Sequence, residues 1–436
     1  MTAFRPARRP PGRLTWIGPI LGLLVLLFLY TCRHHTPIPR PITHHSNGPS
    51  NCPDLPALKD ILVVLKTGVT EAREKVPIHL ETTLRCIPNY IIWSDYDEKI
   101  NGVQVHDVLR SVSDDIKQTN PDFDIYNRVQ QNGRKALTTA DLNPDVNSAI
   151  GKPNNPGWKL DKWKFLPMIE ETLKAHDNAN WYVFMEADTY FFWPNLIAWL
   201  EKLEYQEPHY LGNQMQIADV VFAHGGSGFV LSAPAMRAAV TLRERDVKAW
   251  DRYTGEHWAG DCVLGKLLAD AHVGMLWSWP VLNSGQPADI DFFSEGYLKK
   301  PWCYAPIAYH HLQPEQIREL WEFERAWARD GNKEMIVYRD VFRHIVRPKL
   351  GGTVTNWNNR LGEAPGKSSI SLVECRVLCY SDTKCVQFSY ADGRCWTSNV
   401  AVWGTQKDGV SSGWITERVD ALIESMGACP HAKWIV

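Results

Sequence analysis

The sequence predicts an α/β fold built on a largely parallel sheet, and three patterns predict it. Apolar runs at residues 60–66, 90–93 and 181–185 lack polar alternation, so each suits a strand buried on both faces. Amphipathic stretches separate them. Residues 159–176 carry apolar side chains at 160, 163, 166, 169 and 173, although Pro167 weakens that helix, and Pro194 opens another through 203. Strand and helix therefore alternate along the chain, the order of a Rossmann-like sheet.

At the N-terminus, residues 1–13 include Arg5, Arg8, Arg9 and Arg13, followed by an uncharged stretch at 14–32 whose apolar heart is 20–30. Tyr30, Thr31, Cys32 and Arg33 offer no small-residue cleavage site. The pattern predicts an uncleaved signal anchor with its arginines in the cytosol and the rest of the chain lumenal. A cleaved signal with a secreted product is the alternative. Gly18 and Pro19 shorten the regular span, which suits the thinner early secretory membranes. Residues 33–56 hold Pro37, Pro39, Pro41, Pro49, Pro53 and Pro56, the composition of an extended stem. The main domain then runs over 57–345.

The 436 residues suffice for two or three domains. A net charge of −2 argues against nucleic acid as the main partner. Ten cysteines fit an oxidising compartment. Cys32 lies in or beside the anchor, leaving an odd nine, so at least one lumenal thiol is free or pairs between chains.

Four segments carry chemistry. The strand at 181–185 ends in Glu186 and Asp188. Residues i and i+2 of an extended chain point the same way, so this pair could hold a divalent cation and, through it, a diphosphate. Next, His224 precedes a glycine-rich turn, Gly225, Gly226, Ser227 and Gly228, that leads into a short strand. Glycines there permit close approach of backbone to ligand, or serve an ordinary tight turn. Asp261 opens an amphipathic helix, either as an N-cap or as a reactive carboxylate. Finally, a short apolar strand at 306–309 ends in His310 and His311. Adjacent strand residues face opposite ways, which allows at most one of them as a ligand.

In this order the segments resemble glycosyltransferase family 31, in the core 1 β-1,3-galactosyltransferase and fringe-like branch. Glu186-Ala187-Asp188-Thr189-Tyr190 stands for that family's Asp-Asp-Asp-Thr-Tyr. The run 225–232 stands for Gly-Gly-Ala-Gly-Tyr-Val-Leu-Ser, Gly260-Asp261 for Glu-Asp, and Tyr309-His310 for Phe-His. The resemblance covers about residues 57–345 and implies a GT-A type, Golgi-resident type II membrane enzyme. It would transfer a sugar, galactose first among candidates, with inversion from a UDP-sugar to a glycan or glycoprotein acceptor through a β-1,3 linkage. Asp188, Glu186 and His310 would hold Mn²⁺ against the diphosphate, Asp261 would be the catalytic base, and Gly225–Gly228 would lie against sugar or acceptor. Lys162 or Lys164 could also reach the diphosphate. Two departures are Glu186 in place of an Asp and Gly260 in place of an acid. A fringe-like N-acetylglucosaminyltransferase and a non-catalytic lectin or chaperone that kept the fold are the competing readings.

From about 346 the texture changes to glycine, threonine and asparagine, then to Cys375, Cys379, Cys385 and Cys395. Four cysteines could bind zinc, but an oxidising lumen favours disulfides. The segment 350–418 resembles a PAN/Apple domain, which implies a carbohydrate or protein partner and the nested pairing Cys375–Cys395 and Cys379–Cys385. Residues 419–436 are expected to form a tail.

Overall fold

The computed structural model describes residues 39, 41–43, 52–142, 154–330, 334–360, 367–368 and 370–436. The expected anchor at 14–32 and its cytosolic tail lie outside these. Among the described residues no helix is long and apolar enough to cross a membrane.

The apolar runs become strands. In chain order they are β1 (Ile42–Thr43), β2 (Ile61–Lys66), β3 (Asn89–Ser94), β4 (Glu98–Ile100), β5 (Val103–Asp107) and β6 (Trp181–Glu186). After these come β7 (Tyr190–Phe191), β8 (Tyr210–Gly212), the hairpin β9 (Gln214–Ile217) and β10 (Val220–Ala223), β11 (Phe229–Ser232), β12 (Met275–Trp277) and β13 (Ala308–Tyr309). Among the described residues one sheet has nine strands in the order β12-β8-β11-β6-β2-β3-β5-β4, with β1 also paired to β3. Its centre is buried on both faces. In β2, Leu62 and Val64 join one apolar cluster, while Ile61, Val63 and Leu65 join another on the opposite side. In β6, Tyr182 and Phe184 alternate in the same way with Val183 and Met185. That is the period-two division of a fully buried strand.

The sheet is mixed rather than largely parallel. β2 runs parallel to β3 and to β6, but β11 is antiparallel to both β6 and β8. This reversal matters for the site. Phe229 opens β11 opposite Phe184 near the end of β6, so the turn preceding β11 lies beside the acidic segment following β6. A parallel β11 would have put them at opposite ends of the sheet.

The stripe at 159–176 is broken, as Pro167 suggested. It comprises a helix Pro156–Asp161, a 3₁₀ turn Lys162–Lys164 and a helix Phe165–Ala175. Pro167 falls in the first turn of the last of these, where a missing N–H costs little.

The C-terminal module is a five-stranded antiparallel sheet: β14 (Thr353–Asn358), β15 (Lys367–Ser368), β16 (Gln387–Ala391), β17 (Arg394–Ser398) and β18 (Thr405–Trp414). A helix Leu372–Ser381 opens on a capping box between Ser371 and Glu374. Disulfides join Cys375 to Cys395 and Cys379 to Cys385, a nested pair that ties this helix to the sheet. Val386, Ala401 and Trp414 of the module share one apolar cluster with Tyr309, Ile317 and Phe342 of the preceding domain. Residues 419–436 do not trail. A helix Thr416–Ser425 is held by paired hydrogen bonds from Arg347 to Asp420, a disulfide joins Cys429 to Cys303, and Trp199 donates to the Ile435 carbonyl. A further disulfide links Cys52 to Cys86. Cys262 remains a free, buried thiol.

Candidate active site

The site forms at the carboxyl ends of β2 and β6, where open α/β sheets bind ligands. Lys66 ends β2 in register with Glu186, which ends β6. The two pair across the strands at 3.1 Å, and Lys66 also reaches Asp161 at 2.5 Å. Asp188 lies beyond the strand in a turn closed by the Thr189 N–H on the Glu186 carbonyl. Alternation therefore stops at Glu186, and the two carboxylates find different partners. Asp188 lies 3.2 Å from Lys75 and 3.1 Å from Nε2 of His310.

His310 is buried just past β13, and His311 is exposed. Strand alternation would send them to opposite faces. His311 instead adopts a left-handed φ of 61°, which turns its ring onto that of His310 with centroids 3.9 Å apart. One atom each from Asp188, His310 and His311 lie within 4.8 Å of one another. Glu186 falls outside this group, and His311 is the member that sequence alternation missed. Oδ1 of Asp188 is buried, and it is the oxygen that lies 3.1 Å from Nε2 of His310. A carboxylate oxygen set among two imidazoles is a donor set that fits a divalent cation accepting mixed O and N ligands.

Electrostatics keep Asp188 ionised. Burial opposes its charge, but His310 and Lys75 outweigh burial and hold the carboxyl well below the usual range. Burial likewise works against an imidazolium at His310, yet the Asp188 carboxylate raises its pKa. Glu186 moves the other way: burial pushes it up despite Lys66.

The glycine-rich turn makes room for protein side chains. A Cβ on Gly226 would lie 2.1 Å from the His310 ring, so only glycine lets the imidazole sit there. Ser227 is fully buried with its hydroxyl 2.8 Å from Nδ1 of His224, and Gly228 packs against Phe191. Thr189 donates to the Gly226 carbonyl at 2.7 Å, clasping the acidic turn to this one. Burial, with His310 and His311 nearby, pushes the His224 pKa down to about 3.

Asp261 is not the N-cap of its helix Gly260–Asp270. That position is Ala259. Its carboxylate instead accepts the N–H of Gly225 at 3.0 Å and that of Cys262 at 2.9 Å. Burial pushes its pKa up to about 6 against those two hydrogen bonds. A carboxylate titrating there is ionised at neutral pH and basic enough to accept a proton. Gly260 has no room for an acidic side chain, because a Cβ would lie 2.4 Å from Phe165 and 2.6 Å from the Lys162 backbone.

Lys164 is buried, bonded to Asp95 at 2.9 Å and to the Thr67 carbonyl at 2.8 Å, and Lys162 pairs with Asp122 at 2.9 Å. The cations nearest the acidic pair are Lys66 and Lys75, whose only sequence signals are a strand end and a helix after it. A comparison of the sequence with protein-family models and with curated proteins finds no match to either.

Proposed function

We propose that the chain is a UDP-sugar-dependent, inverting glycosyltransferase of GT-A type, anchored in the Golgi membrane and resembling family 31. The observation that carries the reading is the cluster of Asp188, His310 and His311 at the strand ends, with the raised-pKa carboxylate of Asp261 across the glycine turn. Asp188, His310 and His311 would hold Mn²⁺. When bound, it neutralises charge gathering on the departing diphosphate. Lys75, on the helix Ala72–Glu81, adds a positive charge beside Asp188. Asp261 takes the proton from the acceptor hydroxyl as that oxygen bonds to the anomeric carbon and the bond to the UDP oxygen breaks. The two backbone N–H groups on Asp261 fix where its oxygens sit, so orientation costs nothing at the moment of reaction. Galactose transfer through a β-1,3 linkage follows the resemblance, with N-acetylglucosamine as the same-class alternative.

One observation favours a non-catalytic lectin or chaperone. Both acids of the Glu-Ala-Asp segment already have cationic partners, Lys66 and Lys75, so the site is balanced without a metal. UDP release from UDP-galactose and UDP-N-acetylglucosamine, with Mn²⁺ and with chelator, separates the readings. Metal-dependent release supports the enzyme. Absence of both turnover and Mn²⁺-dependent UDP binding would leave the non-catalytic reading.

A further inference from the structure

A cleft of about 430 Å³ runs between the C-terminal module and the main domain, within the roughly 300–1,000 Å³ typical of small-ligand sites. Trp357 and Trp403 of the module form one wall, the segment from His311 to Leu320 forms another, and the loop at 286–288 closes one side. We propose that this cleft binds a neutral oligosaccharide, the acceptor of the transfer reaction, an inference that rests on the transferase reading.

Three features select that ligand. The first is aromatic. Trp357 donates its Nε1–H to the Trp403 carbonyl at 2.6 Å, with ring centroids 4.5 Å apart, and Trp403 stacks on the buried Trp414. Both rings are thereby fixed while remaining partly exposed, giving flat apolar faces at low ordering cost. The second is charge. Lys349 and Glu319 on the wall neutralise each other at 2.7 Å, and Glu315 adds one exposed carboxylate. The other polar wall groups include the amides of Gln313 and Gln406, with those of Gln286 and Gln316 bonded to each other at 2.5 Å. Amides donate and accept, as hydroxyls require, and offer an anion no net positive charge. The third is continuity. His311 lines the cleft and also belongs to the Asp188–His310–His311 cluster, so a chain lying on the tryptophans would run toward the metal site. The Gly404 N–H bonds the Ala288 carbonyl at 2.7 Å and holds the module's edge against the main domain at the cleft.

Thr405 lines the cleft, is exposed, and belongs to no core cluster, so Thr405→Arg fills the space without disturbing the fold. The full chain would be screened by saturation-transfer NMR against short neutral oligomers of galactose, mannose and N-acetylglucosamine. Oligomer binding should weaken at least about tenfold in Thr405→Arg and in Trp357→Ala. With an oligomer that serves as acceptor, the acceptor KM of Thr405→Arg should rise by the same factor, while donor hydrolysis without acceptor stays unchanged. Unaltered binding in Thr405→Arg, or no binding by any oligomer, overturns the cleft assignment even if UDP-sugar turnover is intact. Binding that is lost in Thr405→Arg, from a protein that releases no UDP, upholds the cleft and sinks the transferase reading instead.

Discussion

Asp261→Asn is the most discriminating perturbation, because its effects on stability and on turnover come from separate sources. The folded pKa near 6 lies about two units above that of a free Asp carboxyl, and each unit is worth about 1.4 kcal/mol. The folded state thus binds the proton more tightly than the unfolded chain. The cost of the buried charge is absent below about pH 4, grows up to about pH 6, and at neutral pH reaches about 3 kcal/mol. Asparagine removes that cost. Its single carbonyl oxygen, however, cannot accept from both the Gly225 and Cys262 N–H groups, and orphaning one of them costs about 1–3 kcal/mol. The two changes oppose each other at similar size, so the melting temperature should move by only a few degrees. Turnover should not be spared. Asparagine cannot take a proton, and losing a general base lowers the rate by on the order of 10²–10⁴. Thermal melting and UDP release at saturating donor and acceptor read the two effects. Wild-type kcat/KM should fall about tenfold per pH unit below about pH 6, and the variant should lack that limb. A variant keeping more than about a tenth of wild-type turnover would reduce Asp261 to a backbone clamp on the glycine turn.

Asp188→Asn should abolish Mn²⁺-dependent UDP binding in calorimetry, whereas Glu186→Gln should weaken it less because Glu186 serves Lys66; normal binding by Asp188→Asn would refute the site. Gly226→Ala should lower stability by about 1–3 kcal/mol and weaken Mn²⁺ binding in an electron-spin titration, since its Cβ would occupy the space of the His310 ring. An alanine variant with wild-type metal affinity would show that His310 need not hold its position. Cys303→Ser removes a link between residues 126 apart and should cost about 2–5 kcal/mol in denaturant unfolding, with UDP binding retained below the lowered melting temperature. An unchanged unfolding midpoint would mean that the C-terminal segment contributes no cross-link to stability.

Much of the scaffold is legible in the sequence because burial leaves a local signature. The run at 181–185 reads as a two-faced strand, and the structure divides its side chains between two apolar clusters. Pro167 marks the broken helix, and the close-set cysteines mark a cross-linked module. The sheet's reversal at β11 is not legible, because apolar periodicity carries no strand direction. The membership of His311 is hidden for a related reason. Alternation assumes extended backbone, and the left-handed φ of this residue has no cue in His310-His311 itself. Lys66 and Lys75 escape notice because a lysine at a strand end or on a helix is usually solvated. Only pairing in register with Glu186 and proximity to Asp188 give these two a role.

That pairing also accounts for the glutamate where the resemblance would have an aspartate. The side chain at 186 must reach Nζ of Lys66 across a parallel pair of strands, and Lys66 is simultaneously drawn to Asp161. The longer glutamate spans this gap and gives a lysine buried beside the Phe165 ring at 4.7 Å a second carboxylate partner. The division of labour within Glu-Ala-Asp then follows. Glu186 secures the strand end, while Asp188, lifted off the strand by the Thr189 turn, is free to exchange Lys75 and His310 for a metal. On the transferase reading, that exchange releases the positive charge of Lys75 at the moment a diphosphate needs it. The ion pairs that balance the two carboxylates are then the reserve from which substrate binding draws, and a shorter Asp at 186 would leave Lys66 to Asp161 alone without improving the metal set.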